Sequence, residues 1–234
     1  MSIKQLDLPS IYKEREDNPV PEKFKQFIGR PALSYSSYSS FIEDNYRGEF
    51  FGNKFLDMPR ESTIFTSYGS SVGMYEETGL PQEFLSAFDM EVLNRENPAN
   101  PLAEYEREIV IDRGSYIIYG FVDRLLDGVL QDFKTGAIDK KAKDYASEDY
   151  NQTVLYTHGL LQEGVEIKDV GVILFDRKGN SLKEGDKNVL RLTGDIEYID
   201  TPYSVERAEK FLKKMDETAL KIEEYYKTYK KYFS

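Results

Sequence analysis

YGFVDRLLDGVLQDFKTG, residues 119–136, sets Asp123, Asp132 and Lys134 into a run otherwise rich in the apolar and β-branched residues of a strand. The Asp127-Gly128 pair at its centre is a strong signal for a two-residue type I′ turn. Counting outward from that turn pairs Leu126 with Val129, Leu125 with Leu130, Arg124 with Gln131, and Asp123 with Asp132. Directly opposed residues share a face of the sheet, with Cβ atoms about 4.5–5.5 Å apart. Lys134, two residues beyond Asp132, points the same way, while Phe133 and Val122 turn to the opposite face. Opposed carboxylates cost a sheet up to about 1 kcal/mol even in water. Partial burial then raises one pKa or demands a cation. A hard divalent ion with oxygen ligands relieves the conflict. A solvated sheet face with Lys134 as the salt-bridge partner relieves it too, and the Asp-x-Lys tripeptide alone does not decide between them.

Working outward, residues 1–33 read as a Pro-containing arm with a short helix around PEKFKQF. Serines before an aromatic-rich stretch predict a helix over about 37–47, followed by helices through SSVGMYEETG and PQEFLSAFDMEVLN. From residue 106 the period becomes that of a strand: EREIVID, an Arg-Gly turn at 113–114, then the hairpin above. TGAIDKKAKDYASED reads as a loop, YNQTVLYTHGLLQEG as a helix, VGVILFD as a buried strand and NVLRLTGDIEYI as a further strand or two. A long amphipathic helix from about 203 to 232 closes the chain. The expected fold is α/β: a mixed central sheet flanked by helices, forming a single domain over 34–234 with its core at about 65–200.

Composition narrows the chemistry. The 234 residues include no cysteine, which excludes disulfides, thiolate zinc sites, a cysteine nucleophile and an iron–sulfur cluster. The N-terminus is charged and no apolar run approaches the roughly 18 residues of a membrane span, so the expectation is a cytoplasmic protein with no membrane partner. The formal charge of −11 argues against a non-specific nucleic-acid coat, but not against an enzyme that meets DNA through one basic strip. His158 is the only histidine and there is no G-x-S-x-G, which leaves no serine–histidine chemistry. His158 itself reads as a surface residue of the Gln152 helix, and no Walker or dinucleotide motif is present.

Gln152 and Tyr156 stand four residues apart and share one helix face. G-x-x-D (Gly120 to Asp123), D-x-K-T-G (Asp132 to Gly136) and Q-x-x-x-Y (Gln152 to Tyr156) therefore follow one another in order. Together they resemble the PD-(D/E)XK nuclease superfamily, and within it the RecB-like exonuclease branch, which includes repair, phage and CRISPR-adaptation nucleases. The likeness is tight over about 104–176 and looser over 34–80. It implies a restriction-endonuclease-like αβββαβ core and a Mg²⁺- or Mn²⁺-dependent deoxyribonuclease of recombination, repair or phage DNA metabolism, more expected as an exonuclease. Asp123 and Asp132 become metal ligands, the Phe133 carbonyl another, and Lys134 the catalytic lysine. Gln152 and Tyr156 flank the site, contacting the DNA strand or supporting Lys134.

The chain departs from that pattern in one ligand. The branch carries G-x-x-x-H on its first core helix, whereas here Gly69 leads to Gly73. Glu77 or Glu76, one turn later, can supply an oxygen in its place, or both are helix-surface acids; Glu108 stands where an acid often precedes the hairpin. Lys140, Lys141 and Lys143, after the second strand of the hairpin, are the expected phosphate contacts. YYKTYKKYF, with Lys227, Lys230 and Lys231, can hold a single strand, though its periodicity favours tyrosines packed inward. The expected partner is DNA, as ends or single strands, with a recombination protein or a second copy of the chain as further partners and a phage-infected host cytoplasm as a setting. Two alternatives stand beside the nuclease: a weakened member serving as a DNA-binding or assembly subunit, and a glycosidase-like use of the two acids, which leaves Lys134 and Gln152 without a role.

Overall fold

The computed structural model describes residues 5–13, 19–43, 63–179 and 190–233. The expected helix over 37–47 is described only to residue 43, and the first two residues of NVLRLTGDIEYI lie outside the described residues. The chain divides into two compact units, Glu61–Glu108 with Phe121–Ala208, and Met1–Arg60 with Ile109–Gly120 and Glu209–Ser234.

The strands are β1 (Ala32–Ser34), β2 (Ala103–Asp112), β3 (Ile117–Leu126), β4 (Val129–Gly136), β5 (Asp169–Lys178) and β6 (Arg191–Asp200). The helices are α1 (Tyr35–Glu43), α2 (Ile64–Thr78), α3 (Ala87–Leu93), α4 (Ile138–Tyr145), α5 (Gln152–Gln162) and α6 (Val205–Phe233). One mixed sheet runs β1-β3-β4-β5-β6, with β2 paired to β3. This is the helix-flanked α/β architecture expected, its αβββαβ order supplied by α2, β2, β3, β4, α5 and β5.

In the larger unit the hairpin decides the rest. Asp127 and Gly128 both adopt positive φ, 49° and 81°, which defines the type I′ turn. The resulting register is Leu126 with Val129, Leu125 with Leu130 and Arg124 with Gln131. β4 then lies parallel to β5 from Val129↔Asp169 to Gly136↔Asp176, and β5 antiparallel to β6. Alternation along β4 sends Phe133 to one face, where it packs with Tyr68, Val72 and Tyr75 of α2, with Val92 and Leu93 of α3, and with Ile173 and Phe175. The other face carries Asp132 and Lys134 beside their β5 partners Val172 and Leu174, covered by Ile138, Ala142, Tyr145 and Tyr150.

Two boundaries differ from expectation for identifiable reasons. Thr63 caps α2 by accepting the Thr66 N–H, so that helix starts six residues earlier than the spacing suggests. α3 starts later, where Ser86 and Asp89 form a reciprocal capping box. The segment read as a loop after the hairpin contains α4, whose first turn is anchored by the Asp176 carboxylate accepting the Ile138 N–H at 3.0 Å.

In the smaller unit the arm is not loose. Tyr12, Phe24 and Phe27 cluster with Ile117, and residues 22–27 form a short 3₁₀ helix. β1 pairs in parallel with Ile117–Tyr119, and Arg30 clamps Asp112 through two 2.7 Å hydrogen bonds. Phe211 packs against Tyr35 and Tyr38, Tyr225 against Phe41, and Asp216 receives Arg113 and Tyr116. The terminal helix thus uses at least Tyr225 for packing, and Lys227 pairs with Glu223 at 2.8 Å. Among the described residues no helix is long and apolar enough to cross a membrane.

Candidate active site

The hydrogen-bonded pairing of β3 with β4 is recorded over three residue pairs, and at the next position a side chain enters the ladder. The Asp123 carboxylate accepts the Phe133 main-chain N–H at 2.7 Å. Asp132 is buried, 1% exposed, and its Oδ2 receives Lys134 Nζ at 2.5 Å and the Tyr150 hydroxyl at 2.9 Å. Its other oxygen, Oδ1, is buried with no hydrogen-bond partner. A buried carboxylate oxygen normally has one.

Charge is crowded here. Burial first, then the Asp132 carboxylate, lifts Asp123 to about 7, against the opposing pull of Lys134 and the Phe133 N–H. Burial alone lowers Lys134, but Asp132 and Asp123 outweigh it and hold the ammonium above its ordinary range. Lys134 is thereby held in its charged form beside the two carboxylates. The three side chains form one electrostatic group, although the hydrogen-bonded register ends at Arg124↔Gln131 and does not include the expected Asp123–Asp132 pair.

Gln152 and Tyr156 do come together: Gln152 Nε2 donates to the Tyr156 hydroxyl at 3.2 Å. Tyr156 is buried, and its phenol is raised by burial and by Asp132. Tyr156 is thus an interior residue bonded to Gln152. The link to the acids passes through Tyr150, whose hydroxyl lies 3.3 Å from Gln152 Oε1 as well as against Asp132.

The two candidate acids of α2 separate. Glu76 is fully buried and faces Arg124, 3.6 Å away, on the Phe133 side of the sheet; neither of its oxygens has a hydrogen-bond partner. Burial, against Arg124 and with Glu96 adding to it, lifts Glu76 to about 8. It is a core acid and no companion of the Asp123–Asp132 pair. Glu77 instead lies within electrostatic reach of Glu106, which burial and then Glu77 hold above the usual carboxylate range and which in turn acts on Asp123. Glu106 was not singled out from the sequence, where Glu108 was. It carries a positive φ of 47° inside β2, a kink that no residue-type pattern announces. Among the described residues no three His, Cys, Asp or Glu side chains gather as a ready metal cluster. The pair Asp123–Asp132, with the unsatisfied Oδ1 and the adjacent Phe133 carbonyl, nevertheless fits a hard cation that keeps several waters and takes further oxygens from a substrate. A Cβ at Gly73 would meet nothing within 4 Å, so the position where the resemblance expects a histidine borders open space.

Lys140, Lys141 and Lys143 are all exposed, carried on α4 and not on a loop, with Lys141 3.4 Å from Asp144. His158 is half-buried on α5, 3.0 Å from the Tyr203 hydroxyl.

No family model matches the chain, and no curated protein matches it. Among solved structures, the crystal structure of a "Putative exonuclease" from Eubacterium rectale matches with a TM-score of 0.52 at 12% identity, over 91% of this chain and 87% of that one. At that identity the likeness concerns the fold: a nuclease-like α/β core over nearly the whole length of both chains.

Proposed function

We propose that the chain is a divalent-metal-dependent DNA nuclease of the PD-(D/E)XK type, acting as an exonuclease in recombination, repair or phage DNA metabolism. One observation carries the reading. Beyond the type I′ turn Asp123 lies within electrostatic reach of Asp132, with Lys134 locked on one oxygen of Asp132 while the other is buried and unsatisfied. Asp123, Asp132 and the Phe133 carbonyl would hold Mg²⁺ or Mn²⁺, with Glu106 and, beyond it, Glu77 adding negative charge nearby. The ion, when bound, supplies Lewis acidity toward a phosphoryl oxygen and lowers the pKa of water. Lys134, permanently charged, offsets the negative charge that grows on the phosphate and orients the attacking water. Lys140, Lys141 and Lys143 contact the backbone of the incoming strand.

A second reading is a DNA-binding or assembly subunit with weakened catalysis. Gly73 in the histidine position and the lack of a ready three-ligand cluster among the described residues favour it. Incubating linear and circular, single- and double-stranded DNA with Mg²⁺, Mn²⁺ or EDTA separates the two. Metal-dependent loss of linear DNA, abolished in Lys134→Ala, supports the nuclease. Binding without cleavage under every metal supports the subunit.

A further inference from the structure

The connection between α4 and α5 holds a residue that no motif assigns. We propose that Tyr150 is a positioning residue for Asp132, set in place by Arg207, so that Asp132 presents its free oxygen to a divalent cation; this rests on the metal-dependent reading above.

An aspartate with two equivalent oxygens can rotate about its Cβ–Cγ bond, and a ligand that rotates is a poor one. Here rotation is opposed twice on the same atom: Lys134 Nζ at 2.5 Å and the Tyr150 hydroxyl at 2.9 Å both engage Oδ2. Oδ1 is left buried and unpartnered. A hydroxyl proton serves one acceptor well. At 2.9 Å the charged Asp132 oxygen is the better one, and Gln152 Oε1 at 3.3 Å restrains the phenol from the side. The Tyr145 ring meets Tyr150 edge-on, centroids 5.0 Å apart, and fixes the ring plane.

The backbone of Tyr150 is held with equal care. Arg207 donates to the carbonyls of Tyr150 (2.6 Å), Ser147 (3.2 Å) and Pro202 (3.2 Å) and to Asn151 Oδ1 (3.1 Å). Asn151, itself buried, donates to the carbonyls of Glu148 and Asp149. A guanidinium spent on three carbonyls and an amide oxygen, with no carboxylate among them, is positioning a loop. Partners that orient a ligating side chain are commonly worth about 10- to 100-fold in metal affinity or activity.

The test is Mn²⁺ affinity measured by calorimetry on the full chain without DNA, alongside melting in EDTA. Tyr150→Phe is expected to weaken Mn²⁺ binding about tenfold while its melting in EDTA stays within a few degrees of the parent. Arg207→Gln, which frees the loop, is expected to weaken it comparably, and the two changes combined by less than the product of their separate effects. Unchanged affinity in Tyr150→Phe, with binding lost in Asp132→Asn, overturns the positioning role and leaves the metal site standing. No Mn²⁺ binding by the parent chain overturns both. Multiplicative effects of Tyr150→Phe and Arg207→Gln overturn the part given to Arg207.

Discussion

Two carboxyls sit far above their ordinary range, with burial the first cause of both. Asp123 is lifted to about 7 by burial and a neighbouring acid that share its site, whereas Glu76 is lifted to about 8 by burial in the core with both oxygens unbonded. In each case the folded-state value lies above the unfolded one. The folded chain therefore holds protons that the unfolded chain has released, and this contribution to stability is complete below about pH 4 and lost as pH rises through 7 to 8. Glutamine at position 76 mimics the protonated acid at every pH. Glu76→Gln is accordingly expected to melt with the parent near pH 5 and above it at pH 8, by about 2 kcal/mol or more at roughly 1.4 kcal/mol per pKa unit. Calorimetric scans at the two pH values check this. Equal melting at pH 8 would mean that Arg124 keeps Glu76 ionised. At this same scale the sequence was partly readable. Asp123, Asp132 and Lys134 could be grouped because the Asp127-Gly128 turn was legible, although the observed register ends one pair short of Asp123. Tyr150 and Glu106 could not, because one reaches Asp132 from a loop tied down by Arg207 and the other is aimed by a positive φ within a strand.

At the scale of elements the hairpin is the decisive piece. A Cβ on Gly128 would sit in the left-handed region at φ 81°, 3.1 Å from the Glu166 carbonyl and 3.2 Å from Lys168 Cγ. Gly128→Ala is expected to cost about 1–3 kcal/mol and to weaken divalent-ion binding in step, since the turn sets where Asp123 meets β4. Denaturant titration with parallel Mn²⁺ binding measures both. Gly73 lies in the middle of α2 with open space around it, so Gly73→Ala is expected to stabilise the protein by about 0.5–1 kcal/mol, read from the same titration. The sequence exposed β2 to β5, α5 and α6 through their periods of two and 3.6. It did not expose α4. IDKKAKDY has no capping residue of its own, because its first N–H is satisfied by Asp176, 38 residues away in β5. Helix boundaries fixed by a side chain from another strand are invisible to local pattern reading.

For the molecule as a whole, a net charge of −11 opposes a polyanion unless positive charge is gathered where the strand arrives. On the proposed reading α4 would gather it: Lys140, Lys141 and Lys143 stand exposed on the helix that follows β4, and Ala142 and Tyr145 of the same helix pack over the face that bears Asp132 and Lys134. Each backbone phosphate neutralised by a lysine releases counterions. The logarithm of affinity then falls with the logarithm of salt by about 0.7 per contact on single strands and about 0.9 on duplex. Replacing all three lysines by glutamine is expected to reduce that slope by about 2 and to weaken binding alike across sequences, because phosphate contacts carry no base information. The measurement is fluorescence anisotropy with labelled oligonucleotides across a salt series in EDTA, where cleavage is silent. A slope that does not move counts against α4 as a DNA-binding surface, and a slope that falls while Lys134→Ala leaves it unchanged would separate strand binding from the role proposed for Lys134.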